Sequence, residues 1–355
     1  MSGISRIKKE LKQDLLEKLK SIEPKGLSKF QVVLMPDFFI DHFIMMNDFS
    51  QEISRFKEIF EQSGGNIPGK PQIIHQGGNA ANTALALAKL NVNTHLICRT
   101  NDLGLYLLRF FLGKHGVNLD GVKTDGKLAM TSALEFGKNH VNIMIGDTGS
   151  VSDFTFEHLN ENDLEKISNS DITSVMNWTL NKNGTNLAKN VFRYAKKNNV
   201  KTYFDTGDPS HRKNEIAILM DQVLRDKSLD ILGLNENELK HYSEQVNWET
   251  NEDVIKSAIS LKEKINARLD LHTSYFSCSI KPEKTIVPAL KFHNIFRSTG
   301  AGDIWNAGNI FGELLDFKDD ERLLFANIIA GFYISLPEPI HLNMEQIIDF
   351  TKKII

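Results

Sequence analysis

The run Gln31-Val32-Val33-Leu34-Met35 is apolar at successive positions, the pattern of a strand covered on both faces. Leu96-Ile97-Cys98, Val175-Met176, Lys201-Thr202-Tyr203-Phe204-Asp205 and Ile231-Leu232-Gly233-Leu234-Asn235 read the same way. Between them, apolar residues recur at helical spacing and predict helices over 187–197, 216–224 and 252–267. Alternation of this kind implies an α/β architecture, a mostly parallel sheet with helices packed on both faces. A further amphipathic helix is predicted over 4–19, ahead of the first strand, as a packing helix. Two stretches break the alternation: 38–48 and 128–145 read as extended segments without an intervening helix.

Candidate chemistry gathers at two glycine-rich turns. In Ser298-Thr299-Gly300-Ala301-Gly302-Asp303-Ile304-Trp305-Asn306-Ala307-Gly308, small residues run into an aspartate where a helix begins. Gly300, Ala301 and Gly302 leave the backbone N–H groups bare, so they can point at a phosphate oxygen, reinforced by the positive end of the helix dipole. Asp303 is then placed to take a proton from an attacking hydroxyl, although the same string also serves as a plain Asp N-cap. Far upstream, Gln76-Gly77-Gly78-Asn79-Ala80-Ala81-Asn82-Thr83-Ala84 opens an Ala-rich helix after the extended run 72–75. There the Gly-Gly turn lets a ligand approach the backbone, with Asn82 one turn inside to hydrogen-bond it.

In this order the two stretches resemble the signature motifs of the ribokinase-like carbohydrate and nucleoside kinases of the phosphofructokinase-B type. Gly77, Gly78, Asn82 and Ala84 match the early motif, continued by Leu90, Arg99, Asp102, Gly104, Gly116 and Val117. Thr299 through Asp303, Asn306, Ala307 and Gly308 match the late one, with Trp305 standing where Phe is usual. The resemblance implies a three-layer αβα sandwich with a mostly parallel central sheet and a small β lid. It divides the chain into a helical extension over 1–30 and a kinase domain over 31–355, with lid segments near 38–48, 64–76 and 128–146.

The activity implied is transfer of a nucleotide's terminal phosphoryl group to a hydroxyl of a sugar, sugar phosphate or nucleoside, with Mg²⁺ on the nucleotide. Asp303 is the implied general base and Gly300, Ala301 and Gly302 the anion hole. Asp41, Gly77, Gly78 and Asn82 are implied to hold the acceptor. Asn235, Glu238, Thr273, Thr299 and Asn327 are assigned to the nucleotide, Glu238 also ordering Mg²⁺ through water; Asn235 and Glu238 equally suit a helix capping box. The position of Asp205 and Arg212 implies a phosphate contact for Arg212. ATP is taken as donor, with ADP as the alternative because Leu271-His272-Thr273-Ser274-Tyr275 and Gly233-Leu234-Asn235-Glu236 are similar to elements of ADP-dependent sugar kinases; His272 also reads as a core histidine. A sugar- or nucleotide-binding regulator that has lost turnover is the reading from another class. Arg297 stands where many members carry an aspartate that helps hold a monovalent cation, which implies activity without K⁺.

Composition changes this picture little. The 355 residues are 41% hydrophobic and 25% charged, enough for a large core, and a net charge of −3 gives no electrostatic footprint for nucleic acid or anionic membrane. No apolar run approaches a membrane span, and the charged first residues do not read as a secretory signal. Cys98 and Cys278 lack metal-ligand spacing and read as buried thiols of a reducing compartment, which places the protein in the cytoplasm. The apolar segments Phe38-Phe39-Ile40 and Phe43-Ile44-Met45-Met46 suggest a homodimer through the lid.

Overall fold

A computed structural model describes residues 7–136, 141–244, 253–292, 294–297 and 299–354. Ile4 to Arg6 of the first expected helix, 137–140 of the expected lid, Glu252 and Ser298 lie outside these residues.

Helix α1 (Lys9–Ser21) leads to strands β1 (Gln31–Met35) and β2 (Phe39–Met46), then α2 (Phe49–Glu61), β3 (Gln72–Gly77) and α3 (Asn79–Lys89). Next come β4 (Asn93–Arg99), α4 (Asp102–Phe111), β5 (Asn118–Lys123), β6 (Ala129–Phe136), β7 (Val141–Asp147) and α5 (Glu161–Ser168). The middle of the chain alternates: β8 (Ile172–Met176), α6 (Gly184–Lys197), β9 (Lys201–Asp205), α7 (Ile216–Leu219) continued by a π turn, β10 (Ile231–Asn235), α8 (Glu236–Glu244) and α9 (Val254–Lys262). Strands β11 (Arg268–His272), β12 (Phe276–Ile280) and β13 (Lys284–Pro288) precede α10 (Ala301–Leu314), α11 (Asp319–Ser335) and α12 (Met344–Ile354).

One nine-stranded sheet has the order β13-β12-β11-β10-β9-β8-β1-β4-β5. Its strands from β5 to β11 are parallel, and successive apolar residues feed two cores: Val32 and Leu34 pack on one face, Val33 and Met35 on the other. The last two strands run antiparallel, a detail the apolar pattern did not reveal. Their connections are too short for a parallel crossover, which needs a dozen or more residues. From β1 the chain first builds outward through β4 and β5, then returns to β8 and builds the other way. That reversal opens a crevice at the carboxyl ends of β1, β8 and β9.

A second, four-stranded sheet, β3-β2-β6-β7, stands apart. It contains the expected extended segments, but 64–71 is not strand, and α2 intervenes. The signal for α2 is legible: Asp48 caps it by accepting from Ser50 N and Gln51 N, and Phe49, Ile53, Phe56 and Phe60 repeat at helical spacing. Phe38, Phe39 and Ile40 are buried within the chain; the exposed apolar side chains among the described residues of this sheet include Ile73 and Ile74 on β3, Met130 on β6, and Val141, Ile143, Met144 and Ile145 on β7. At the other end, α1 buries Leu15 and Leu19 in the main core, and Lys18 pairs with Glu321 of α11 at 2.6 Å. No helix among the described residues is long and apolar enough to cross a membrane.

One cluster of charged groups within the core is closely paired. Asp270 of β11 is fully buried and receives Arg322 Nη1 at 2.8 Å, Arg268 Nη2 at 2.9 Å and Asn309 Nδ2 at 3.0 Å. Burial pushes its carboxyl up, but the Arg268 and Arg322 guanidiniums overcome this and hold it well below the usual carboxylate range. Asp270→Ala leaves two buried guanidiniums short of a counter-charge and is expected to lower unfolding stability in urea by about 3–5 kcal/mol. Because the folded carboxyl titrates below its unfolded value, its contribution is complete above about pH 4 and is lost on further acidification. Parallel stability curves for wild type and variant across pH 3 to 7 would refute this.

Candidate active site

The crevice is lined by carboxylates delivered from strand ends. Just past β1, Asp37 is fully buried and accepts from Asn79 N and Ala80 N at 2.8 Å each, and from Asn177 Nδ2 at 2.8 Å. It therefore caps α3 from outside that helix, closing its N-terminus with a protein carboxylate. Burial raises its pKa, while the Asn177 and backbone donors pull the other way. The Gly77-Gly78 turn follows from this close packing. Gly78 has φ +98°, and a Cβ there would meet the Asp37 carbonyl oxygen at 3.0 Å. At Gly77 a Cβ would overlap the carboxylate of Asp41, which reaches across from β2.

Helix α10 supplies the opposite wall. Gly300 precedes it with φ +80°, in the left-handed region, and no side chain among the described residues caps its first turn. Its leading N–H groups thus face the crevice bare, in contrast to those of α3. Asp303, in that first turn and 8% exposed, accepts from Asn82 Nδ2 at 2.8 Å, and its carbonyl accepts from Thr83 Oγ1 at 3.1 Å. Burial raises the Asp303 pKa well above the usual carboxylate value; the Asn82 bond opposes this, while Asp205, Asp37 and Asp41 reinforce it. Burial likewise pushes Asp41 up to about 6, with Asp37 adding to the shift and Thr131 opposing it. Asp205, at the end of β9, accepts from Gly207 N at 2.8 Å and from the Asn306 amide, whose Oδ1 takes the Tyr203 hydroxyl at 2.7 Å.

The residues expected near a nucleotide are placed as follows. Asn235 and Glu238 close a capping box at the start of α8, with Asn235 N and Nδ2 donating to Glu238 at 2.9 and 2.8 Å and Glu238 N returning to Asn235 Oδ1 at 2.9 Å. Glu238 is buried, which with nearby Asp205 raises its pKa well above normal. Thr273 turns the β11–β12 hairpin, its Oγ1 accepting from Tyr275 N at 3.1 Å and Phe276 N at 3.0 Å. Asn327 is buried on α11, where it accepts from Trp305 Nε1 at 3.0 Å and donates to the Pro288 carbonyl at 3.3 Å. Trp305 lies 4.8 Å from the His272 ring, which lies beside Gly302. Burial holds His272 near pKa 4, so it is a neutral packing ring at physiological pH. Thr299 is exposed in the turn before Gly300.

Two arginines are held by backbone carbonyls. Arg212 is not a free phosphate ligand: its guanidinium stacks 4.2 Å from the Trp178 ring centroid and donates to the carbonyls of Trp178 and Asn181 and to Glu215. Arg297 is held in the same way. It donates to the carbonyls of Tyr333 at 3.3 Å, Leu336 at 2.9 Å and Pro337 at 2.5 Å, neutralising the negative end of α11. Asp37, Asn177, Tyr203 and Tyr333 escaped the sequence reading, since each lies outside the two glycine motifs. Asp37 did carry a signal, as an aspartate beside Pro36 at a strand end.

The sequence pattern of the pfkB family carbohydrate kinases matches residues 44–346. Solved structures of similar fold include the ribokinase of Arabidopsis thaliana complexed with ribose and ATP, at TM-score 0.72 and 19% identity over 91% of this chain and 98% of that one. An adenosine kinase from Sinorhizobium meliloti gives TM-score 0.71 and 19% identity over 92% and 100%. A ribokinase from Cryptococcus neoformans in complex with ADP gives TM-score 0.66 and 17% identity over 92% and 99%. Comparison with curated proteins gives no match. The chain belongs to the pfkB family of carbohydrate kinases, phosphotransferases that act on a hydroxyl group.

The carbonyl cup filled by Arg297 gives an expectation about ions. A permanently charged guanidinium already satisfies those oxygens, so nothing is gained by recruiting a monovalent cation there. Rates are expected to agree in potassium, sodium and tetramethylammonium buffers of equal ionic strength. A severalfold activation confined to K⁺ would contradict this.

Proposed function

We propose that the protein transfers the terminal phosphoryl group of ATP to a hydroxyl of a sugar, sugar phosphate or nucleoside, with Asp303 as general base. The observation that carries this reading is the 2.8 Å bond from Asn82 to Asp303, which joins the two glycine turns at the uncapped start of α10. A base, an anion hole and a close-approach turn thus share one crevice, and no capping side chain among the described residues competes for the N–H groups.

Asp303, made more basic by burial and by its carboxylate neighbours, takes the proton of the acceptor hydroxyl as that oxygen attacks. The N–H groups of Gly300, Ala301 and Gly302 hold charge on the transferring group, and Asn82 keeps the Asp303 carboxylate in place. Asp41 accepts from acceptor hydroxyls and is ionised above about pH 6, so acceptor binding strengthens as pH rises through that value. The second sheet, which carries Asp41, serves as the lid that excludes water. Glu238 would order Mg²⁺ through water: its carboxylate oxygens already accept from Asn235 N and Nδ2, which suits an outer contact with an ion that keeps its water. When bound, it neutralises charge on the nucleotide phosphates.

ADP is the alternative donor, supported by the His272-Thr273 turn at the end of β11. We place the protein in the cytoplasm, where its buried, unpaired Cys98 and Cys278 suit a reducing environment. The exposed isoleucines of β3 and β7 support pairing of two copies through the lid.

The test is nucleotide consumption measured against a panel of sugars, sugar phosphates and nucleosides. One acceptor class is expected to stimulate turnover, and Asp303→Asn to lower it by about 10²- to 10⁴-fold while nucleotide binding persists. Undiminished turnover in the variant would remove Asp303 as base, and binding without turnover on every acceptor would favour a regulator.

A further inference from the structure

Tyr333, near the end of α11, places its hydroxyl against the turn that opens α10. A Cβ built on Gly300 would meet that oxygen at 3.0 Å, so the left-handed glycine and the phenol are packed on each other. The ring is fixed from both sides. The Arg297 guanidinium lies 5.5 Å from its centroid while bonding the Tyr333 carbonyl, and the His341 ring lies 5.5 Å away. The residue is only 8% exposed, yet its hydroxyl has no hydrogen-bond partner among the described residues, unlike that of Tyr203, which donates to Asn306. Burial first, then the carboxylates of Asp303 and Asp41, push the phenol up to about 12 against the pull of Arg297. At neutral pH it is therefore a donor.

A rigid ring that ends in a donor with no partner among the described residues, beside the glycine that opens α10, is preorganised for an oxygen that arrives with the ligand. We propose that Tyr333 is a further ligand-contacting residue of this site, its hydroxyl donating to an oxygen of the terminal phosphoryl group beside the N–H groups of α10. The inference rests on the phosphoryl-transfer reading and adds to it a side-chain donor lying outside both glycine motifs.

Tyr333→Phe keeps the ring and its contacts with Arg297 and His341 and removes only the donor. Affinities of the full-length wild type and variant are measured by calorimetry for ADP and β,γ-imido-ATP, and for AMP and α,β-methylene-ADP, the pair that applies if ADP is the donor. The variant is expected to lose about tenfold or more for the nucleotide that carries the terminal phosphoryl group and nothing for the one that lacks it, with an unchanged melting temperature. Equal affinities in the two proteins would overturn the proposal, and so would an equal loss for both members of the pair, the mark of a packing role. If the wild type binds none of the four nucleotides, the phosphoryl-transfer reading itself falls, a result visible without the variant.

Discussion

The structure depends on keeping several carboxylates buried in one crevice without a fixed cation among them. Asp37, Asp41, Asp205, Glu238 and Asp303 converge at the carboxyl ends of the parallel strands, and each is pushed toward the protonated form by burial. Their partners are neutral donors: the amides of Asn79, Asn82, Asn177, Asn235 and Asn306 and backbone N–H groups. The guanidiniums of Arg212, Arg297 and Arg322 are engaged elsewhere, with carbonyls or with Asp270 and Glu215. Neutral donors hold a carboxylate in position while leaving its basicity high, whereas an adjacent arginine would lower it by one to three pKa units or so.

The two helix N-termini of the crevice divide the labour. That of α3 is occupied by Asp37, so it orders the Gly77-Gly78 turn and presents Asn82. That of α10 is open, so its dipole and N–H groups remain for an anion. Asn82 and Thr83 tie the two helices together at Asp303, so a shift in either helix moves the base. Behind them, Tyr203, Asn306 and Asn309 connect Asp205 to the Asp270–Arg322 pair, a polar path that stiffens the packing of α10 on the sheet.

Much of this was legible in the sequence because it rests on local pattern. The apolar runs placed β1, β9 and β10 at their observed positions, and the glycine strings located both helix starts. What escaped was set by tertiary contact. Nothing in the local pattern around Asp37 states that it caps a helix more than one lid away, nor that Arg212 lies on Trp178. The antiparallel edge escaped because short buried runs look alike in either direction, and α2 was passed over although Asp48 and its phenylalanine spacing announce it. Trp305 and Asn327 illustrate a further gap, since the larger ring in place of Phe brings an indole N–H that takes up the Asn327 carbonyl oxygen, a consequence visible only once both helices are packed.

The central claim is that burial, reinforced by neighbouring carboxylates, raises the pKa of the base, and the dependence of kcat on pH tests it most directly. A base whose pKa is raised loses activity on acidification well above the ordinary aspartate range near pH 4. Asp205→Asn removes the strongest of the charges that raise Asp303 and should move that acid limb to lower pH. An acid limb already at the ordinary aspartate range, unmoved by Asp205→Asn, would contradict the account.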